Sequence, residues 1–400
     1  MCRFCIAREG IESSRDLKAV SKTCSLCEGI LLRLDNTIEL IKRAIKDYDF
    51  KTFLVGASLP QSILDNEDEV RSRLKIKGRE NVKTQITRIL SKRLASATKK
   101  KVDYSRPDLT ILISLIDDAV TVMPRSIWIY SKYRKLVRGI PQRSSTCKVC
   151  NGLGCAECNY TGKKGTSIQF VATSYFNQIF EAEACNFVWL GSEDEMSLVQ
   201  GSGRPFFVEV VRPKKRKTPK KGSRNWNLPY KSSEGIEIPD FEILRSKPAN
   251  IPQFKITAKI HLKKTGDSRE SAIDAEQIQK NFSETNVNVR LSRKSRTVQR
   301  RIHSLNVLVE EGGASATLTI DCDGGIPLKK FVSGQDGTVE PNISSLISSY
   351  ELDKTAPFDI ADVQIKEVFG KKKGGSQYIE SERVDPMALG EPNELENVIA

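Results

Sequence analysis

Eight of the ten cysteines in this 400-residue chain stand in four C-x-x-C pairs, and that spacing constrains the fold before any helix or strand is drawn. The pairs form two sets: Cys2 and Cys5 with Cys24 and Cys27, and Cys147 and Cys150 with Cys155 and Cys158. One C-x-x-C knuckle offers two thiolates from a single turn, and two knuckles complete the four-sulfur shell of a tetrahedral metal site. In a reducing compartment such pairs mean metal before disulfide. The second set reads C-x2-C-x4-C-x2-C, with Gly152 and Gly154 allowing the tight turn between its knuckles. A structural Zn2+ is expected on each set. An iron–sulfur cluster is the alternative, since four cysteines suit both; so is a site that pairs one knuckle from each region. For the first set a further alternative is free cysteines beside a core helix, with Cys2 close enough to Met1 to fray. Cys185 and Cys322 stand alone and read as small core residues.

The charge balance limits the partners. Lys and Arg number 64 against 50 Asp and Glu, a formal charge of +14. An excess of this sign suits a polyanion such as nucleic acid. No apolar run approaches the length of a membrane span, and MCRFCIAREG has no apolar core of a signal peptide. A cytoplasmic chain is expected, without a membrane partner. Two histidines, His261 and His303, leave little room for histidine-based catalysis.

Periodicity suggests an α+β chain of several domains. Residues 28–48 carry a helical stripe of Ile30, Leu31, Leu34, Ile38, Ile41 and Ile45. Strands are expected at 51–58 and 108–115, a basic helix at 78–94, and short strands or turns at 119–123 and 126–130. Residues 131–142, SKYRKLVRGIPQ, surround Tyr133 with Lys132, Arg134, Lys135 and Arg138, a mixture that suits RNA phosphates and base stacking. Residues 166–187 are amphipathic. Further on, strands are expected at 254–262 and 314–321 and a helix at 271–282, before Gly324-Gly325 turns into 326–332, where Lys329 and Lys330 point opposite ways if the stretch is a strand. Residues from Met387 on read as a disordered tail.

The stretch WLGSEDEMSLVQGSGRPFFVEVVRPKKR, residues 189–216, carries the chemistry. Glu193, Asp194 and Glu195 lie between Gly191 and Gly201; a turn at 201–205 contains Arg204; a strand follows at 206–211. A carboxylate held there beside positive charge stays ionised and can serve as a nucleophile. The cations that follow, Lys214, Lys215, Arg216, Lys217, Lys220, Lys221 and Arg224, with Pro213, Pro219 and Gly222, make a basic loop suited to phosphates. The plainer alternative is a solvated acidic loop before a strand.

These motifs resemble the archaeal tRNA pseudouridine synthases that carry a THUMP domain. The match in the catalytic region rests on Gly191, Glu193, Asp194, Gly201, Gly203, Arg204, Pro205 and Phe206; the family's Arg before the acidic pair is Ser192 here. RPDLTILI with SKYRKLVRGIPQ resembles the THUMP module, which recognises the acceptor end of tRNA. GGIPLKKFVSGQDG is similar to a second family element, in which a basic residue, Lys329 here, pairs with the catalytic Asp, and in which Pro327 takes the place of a Tyr. The family's base-stacking Tyr falls on Ile256 of FKITA.

The resemblance implies Asp194 and Lys329 as catalytic residues. It implies substrate contacts at Ile256, Pro327 and Arg204, to which the clustered cations and their aromatic add Tyr133, Arg134, Lys135, Lys214, Lys215 and Arg216. It further implies a monomer acting on uridines 54 and 55 of the TΨC arm of tRNA, with no organic cofactor. The expected order is a zinc-binding helical segment at 1–45, a THUMP-like domain at 46–142, the second cysteine knuckle at 143–165, a mixed-sheet synthase domain at 166–386 and the tail at 387–400. A THUMP-containing methyltransferase is the competing enzyme, but GSG precedes a strand and no N-P-P-Y motif is present. A binding-only tRNA protein is the other competitor.

Overall fold

The computed structural model describes residues 1–10, 24–218, 229–265, 273–291, 296–347 and 349–365. Lys220, Lys221 and Arg224, and the expected tail, lie outside them. The chain divides into two compact units, one made of 1–126, 177–184 and 210–218, the other of 127–176, 185–209 and the residues from 219 on.

In the first unit a four-stranded sheet runs in the order Lys101–Val102, Thr52–Ser58, Leu109–Ser114, Ala119–Pro124. Thr52–Ser58 pairs in parallel with both of its neighbours, and Leu109–Ser114 pairs antiparallel with Ala119–Pro124. Alternate side chains of Thr52–Ser58, namely Phe53, Val55 and Ala57, are buried, as a strand's two-residue period requires. The parallel pairing needs a crossover, and Gln61–Leu74 and Val82–Thr98 supply it. Gln61–Leu74 is missing from the periodicity reading because its buried positions are few: Ile63 and the charged Glu67. Leu34–Ile45 follows the predicted stripe, burying Leu34, Ile38, Ile41 and Ile45.

The second unit is built on a 13-stranded mixed sheet. Its centre runs Ile127–Lys135, Val199–Val211, Phe358–Ile365, Phe254–Lys264, Ser315–Asp323, Arg296–Val309, Thr285–Leu291. Three sequence expectations are corrected here. The strand containing Tyr133, Arg134 and Lys135 belongs to this sheet, not to a module with the 52–124 strands. Residues 201–205 form no separate turn; they lie inside Val199–Val211, where Gly201 and Gly203 take positive φ of 56° and 83°. A Cβ at those positions would come within 2.2 Å of the Ala361 carbonyl oxygen and 2.7 Å of that of Tyr133, so glycine is what allows the neighbouring strands to close on this one.

The third correction concerns the residues after Gly325. Leu328–Ser333 is a helix, not a strand. Leu328, Phe331 and Val332 are its buried residues, at helical spacing, and Gly334 ends it in the left-handed conformation, donating its N–H to the Lys330 carbonyl at 2.9 Å. A strand would have sent Lys329 and Lys330 to opposite faces; on a helix turn both reach the same opening.

No helix among the described residues is long and apolar enough to cross a membrane.

Candidate active site

The sheet brings together two loops far apart in sequence. The acidic loop joins Ala184–Trp189 to Val199–Val211, and Val199 pairs with Ile360 of the neighbouring strand. One strand further lies Phe254–Lys264, and beyond it Ser315–Asp323, which leads through Gly324 and Gly325 to the helix bearing Lys329. Phe254 seats the two against each other. Its ring lies where a Cβ on Gly324 would come within 2.3 Å and one on Gly191 within 3.4 Å.

Between the loops is a cavity of about 300 Å³. That volume is at the lower end of small-ligand sites, about 300–1,000 Å³. Asp194, Lys329 and Lys330 supply charge to its lining, the buried Glu193–Arg204 pair lies behind them, and Ile256, Ile326, Pro327, Leu328, Phe358 and Ile360 supply hydrocarbon. Asp194, Lys329, Ile256, Pro327 and Arg204, singled out on sequence, are therefore placed around one opening. Lys329 Nζ donates to Asp194 Oδ2. The Asp194 side chain is 19% exposed and that of Lys329 50%. Burial works to raise the Asp194 pKa, but the Lys329 ammonium and the Met196 N–H, 3.0 Å from Oδ1, outweigh it and hold the carboxyl below the usual carboxylate range.

The loop's shape is set from behind by residues 133–142, and here the expected RNA contacts are reassigned. Tyr133 is fully buried; its hydroxyl donates to Glu193 at 2.6 Å and receives a bond from Gln142 Nε2 at 2.9 Å, so its ring is not available to a base. Burial first, then the Glu193 charge, pushes its phenol well above the ordinary value. Lys135 is also fully buried and donates to the carbonyls of Ile140, Asp194 and Glu195 at 2.9, 2.9 and 3.1 Å. Burial pulls its pKa below the ordinary lysine value, against the opposing pull of Glu193 and Asp194. Arg204 has no exposed surface; Nε lies 2.9 Å from Glu193 Oε2, and Nη1 donates to the Leu190 carbonyl at 2.8 Å. Arg138 forms a two-point pair with Asp359 at 2.7 and 2.8 Å and also donates to the Met196 carbonyl. Asp359 in turn accepts from the Leu198 N–H at 2.8 Å.

The other expected RNA contacts divide. Arg134 Nε donates to the Gly201 carbonyl at 2.8 Å and remains partly exposed. Lys214 is exposed. Lys215 donates to the Asp47 carbonyl at 3.1 Å, and Arg216 sits 3.6 Å from Asp108 with its side chain 11% exposed. The sequence reading missed Gln142, Asp359 and Phe358, because nothing in their local sequence shows that they back or line the acidic loop.

Both cysteine sets are assembled as the spacing suggests. In the first, Cys2 and Cys27 sulfurs are 3.7 Å apart, Cys2 is fully buried, and its N–H points at Cys24 Sγ at 3.1 Å. In the second, the pairs 147/155, 150/158 and 155/158 are 4.0, 3.8 and 3.7 Å apart, with N–H groups of Gly154, Cys155 and Gly162 directed at sulfurs. All four ligand atoms of each set lie within 4.8 Å of one another. Thiolates at about 2.3 Å from one ion stand about 3.8 Å apart in a tetrahedron. The donor sets thus fit a single metal ion each; a multi-iron cluster would hold its sulfurs further apart. Each group draws on one region only, so neither is a mixed site.

Comparison with known proteins agrees with this architecture. The family described as "Pus10 THUMP domain, archaeal" matches residues 38–114, and "Pus10, C-terminal" matches residues 128–364, so the strand carrying Tyr133 and Lys135 falls within the second match. A curated protein of Nitrosopumilus maritimus, tRNA pseudouridine synthase Pus10, is 30% identical over 348 residues, 86% of this chain and 87% of that protein. A protein of the same name from Cenarchaeum symbiosum is 30% identical over 82% of this chain and 78% of its own length. One from Archaeoglobus fulgidus is 28% identical over 87% of this chain and 95% of its own length. The chain belongs to the Pus10 family of tRNA pseudouridine synthases, which are isomerases.

Proposed function

We propose that this chain isomerises uridine to pseudouridine in the TΨC arm of tRNA, at positions 54 and 55, with Asp194 as the catalytic carboxylate and Lys329 as the partner that keeps it ionised. The observation that carries the reading is the Asp194–Lys329 pair at the mouth of a cavity walled by hydrocarbon.

A stacked uridine is out of reach of such a cavity, so the base is flipped out of the arm. Ile256 and Phe358 offer the uracil ring apolar surface, in place of the stacking Tyr of the family. The ionised Asp194 assists cleavage of the bond between ribose C1′ and N1, by attack at C1′ or by taking a proton from C2′. The uracil turns within the cavity and C5 bonds to C1′ as the Asp194 carboxylate leaves C1′, or as it returns its proton to C2′; the C5 proton is then lost as N1 gains one, so atoms and charge balance. The organic reaction needs only acid–base and nucleophilic groups, and Asp194 with Lys329 supplies them. Zn2+ at Cys2, Cys5, Cys24 and Cys27, and at Cys147, Cys150, Cys155 and Cys158, serves in this reading as a structural ion that closes each knuckle.

Tritium release from C5-labelled uridine in tRNA transcripts tests the reading, with the modified positions mapped afterwards. Asp194→Asn is expected to abolish release while tRNA affinity stays close to that of the parent. Release by Asp194→Asn near the parent rate would overturn the assignment. No release by the parent on any tRNA would leave a tRNA-binding protein.

A further inference from the structure

We propose that Arg300 is a phosphate-binding residue at the rim of the cavity, gripping the backbone phosphate beside the uridine whose base enters it. The inference rests on the isomerase reading for what occupies the cavity, and on the following geometry for the rest.

Arg300 lies on Arg296–Val309, close to the end of the neighbouring strand Ser315–Asp323. Between Ile302 and Ser304 the register with that neighbour shifts, two residues opposing one. A bulge of this kind re-aims the side chains beyond it. Past the shift, the Arg301 N–H meets Asp323 at 3.1 Å and Arg300 Nε donates to the Gly324 carbonyl at 3.1 Å. Nη1 donates to the Gln299 carbonyl at 3.1 Å. The guanidinium is thus held in place by main-chain oxygens. It stands against Gly325, a cavity-lining residue, whose Cβ would meet Nε and Nη2 at 3.4 and 3.8 Å.

Its charge is not matched. Arg301, next in sequence, pairs with Glu284, and Lys330 lies 3.8 Å from Asp336 and 3.2 Å from the Thr338 hydroxyl. Among the described residues no carboxylate lies within ion-pairing distance of Arg300. A guanidinium oriented by neutral carbonyls, partly exposed beside the cavity, is arranged for an anion that arrives with the substrate. On a polynucleotide that anion is the phosphodiester.

The test is a binding cycle with the full-length protein. Arg300→Gln is paired with RNAs carrying an uncharged methylphosphonate at one or the other phosphate flanking the target uridine. For one of the two phosphates, either change alone is expected to weaken binding about tenfold, and both together to weaken it little further. The slope of log affinity against log salt should fall by about one on Arg300→Gln. Arg300→Lys keeps a positive charge and should retain most of the affinity with the parent slope. Additive losses at both phosphates, or a parent-like affinity and slope for Arg300→Gln, would overturn the proposal. Because the cycle reads equilibrium binding, it remains interpretable if the parent forms no pseudouridine, and that result would count against the isomerase reading alone.

Discussion

Lys135→Met tests the idea that the site is organised from behind. Methionine keeps the length and hydrocarbon of the lysine but removes the three donors to the carbonyls of Ile140, Asp194 and Glu195. A hydrogen bond from a charged donor contributes about 1.5–3 kcal/mol net, and an acceptor left buried without a partner costs about 1–3 kcal/mol. Two terms reduce the sum. Burial already disfavours the ammonium, as the lowered lysine pKa shows. The Glu195 carbonyl also lies in a loop whose residues are partly open to water, where solvent can replace the lost donor. The net destabilisation should therefore be about 3 kcal/mol, at the low end of the cost of breaking a buried charged pair, about 3–5 kcal/mol. Released from its clamp, the Asp194 loop should drift by a fraction of a turn. A misplacement of about 1 Å is worth about 100-fold in rate. Denaturant unfolding and single-turnover pseudouridine formation are the assays, with tRNA binding measured alongside. The expected result is a lower unfolding midpoint, a rate reduced about 100-fold and unchanged affinity. A variant within about 0.5 kcal/mol of the parent and within twofold in rate would refute the reasoning.

Two further outcomes follow from the site and the cysteine sets. Asp194 has its pKa depressed, so activity that needs the ionised carboxylate should persist at pH values below the ordinary carboxylate range and fall as pH drops through the depressed value; Lys329→Ala removes a lowering partner and leaves burial in place, so the acid limb of the pH–rate profile should move to higher pH, and an unmoved limb would remove Lys329 from this role. Elemental analysis should find two zinc ions per chain, and Cys150→Ser should lower the metal content by one; fewer than one metal per chain in the parent would exclude both sites.

The two cysteine clusters were the part of the fold most legible in the sequence. Four sulfurs gather through two short turns, and the spacing within each turn is local. The elements with strong periodicity were legible for the same reason: Leu34–Ile45 and Thr52–Ser58 bury every residue their period assigns to the inner face, or nearly so. Asp194 and Lys329 were legible as motif positions, although 135 residues separate them. Where the local signal was weak, the assignments failed. A run of six residues around Lys329 reads equally as strand or helix, and Gly334 decided for a helix turn by capping it.

The sequence by itself determined the C-x-x-C pairs, the acidic loop and the basic character of the chain, because each depends on residues close together along it. Only the tertiary structure decided which cations face water. Tyr133, Lys135 and Arg138 have the sequence of an RNA-binding segment, yet Arg138 meets Asp359 across 221 residues and Lys135 is enclosed by carbonyls of the acidic loop. Arg300 also sits in a basic run, and past a one-residue bulge its guanidinium stands against Gly325. A strand assigns alternate side chains to its two faces, but which face is interior depends on the strands and loops packed against it, and those come from distant parts of the chain.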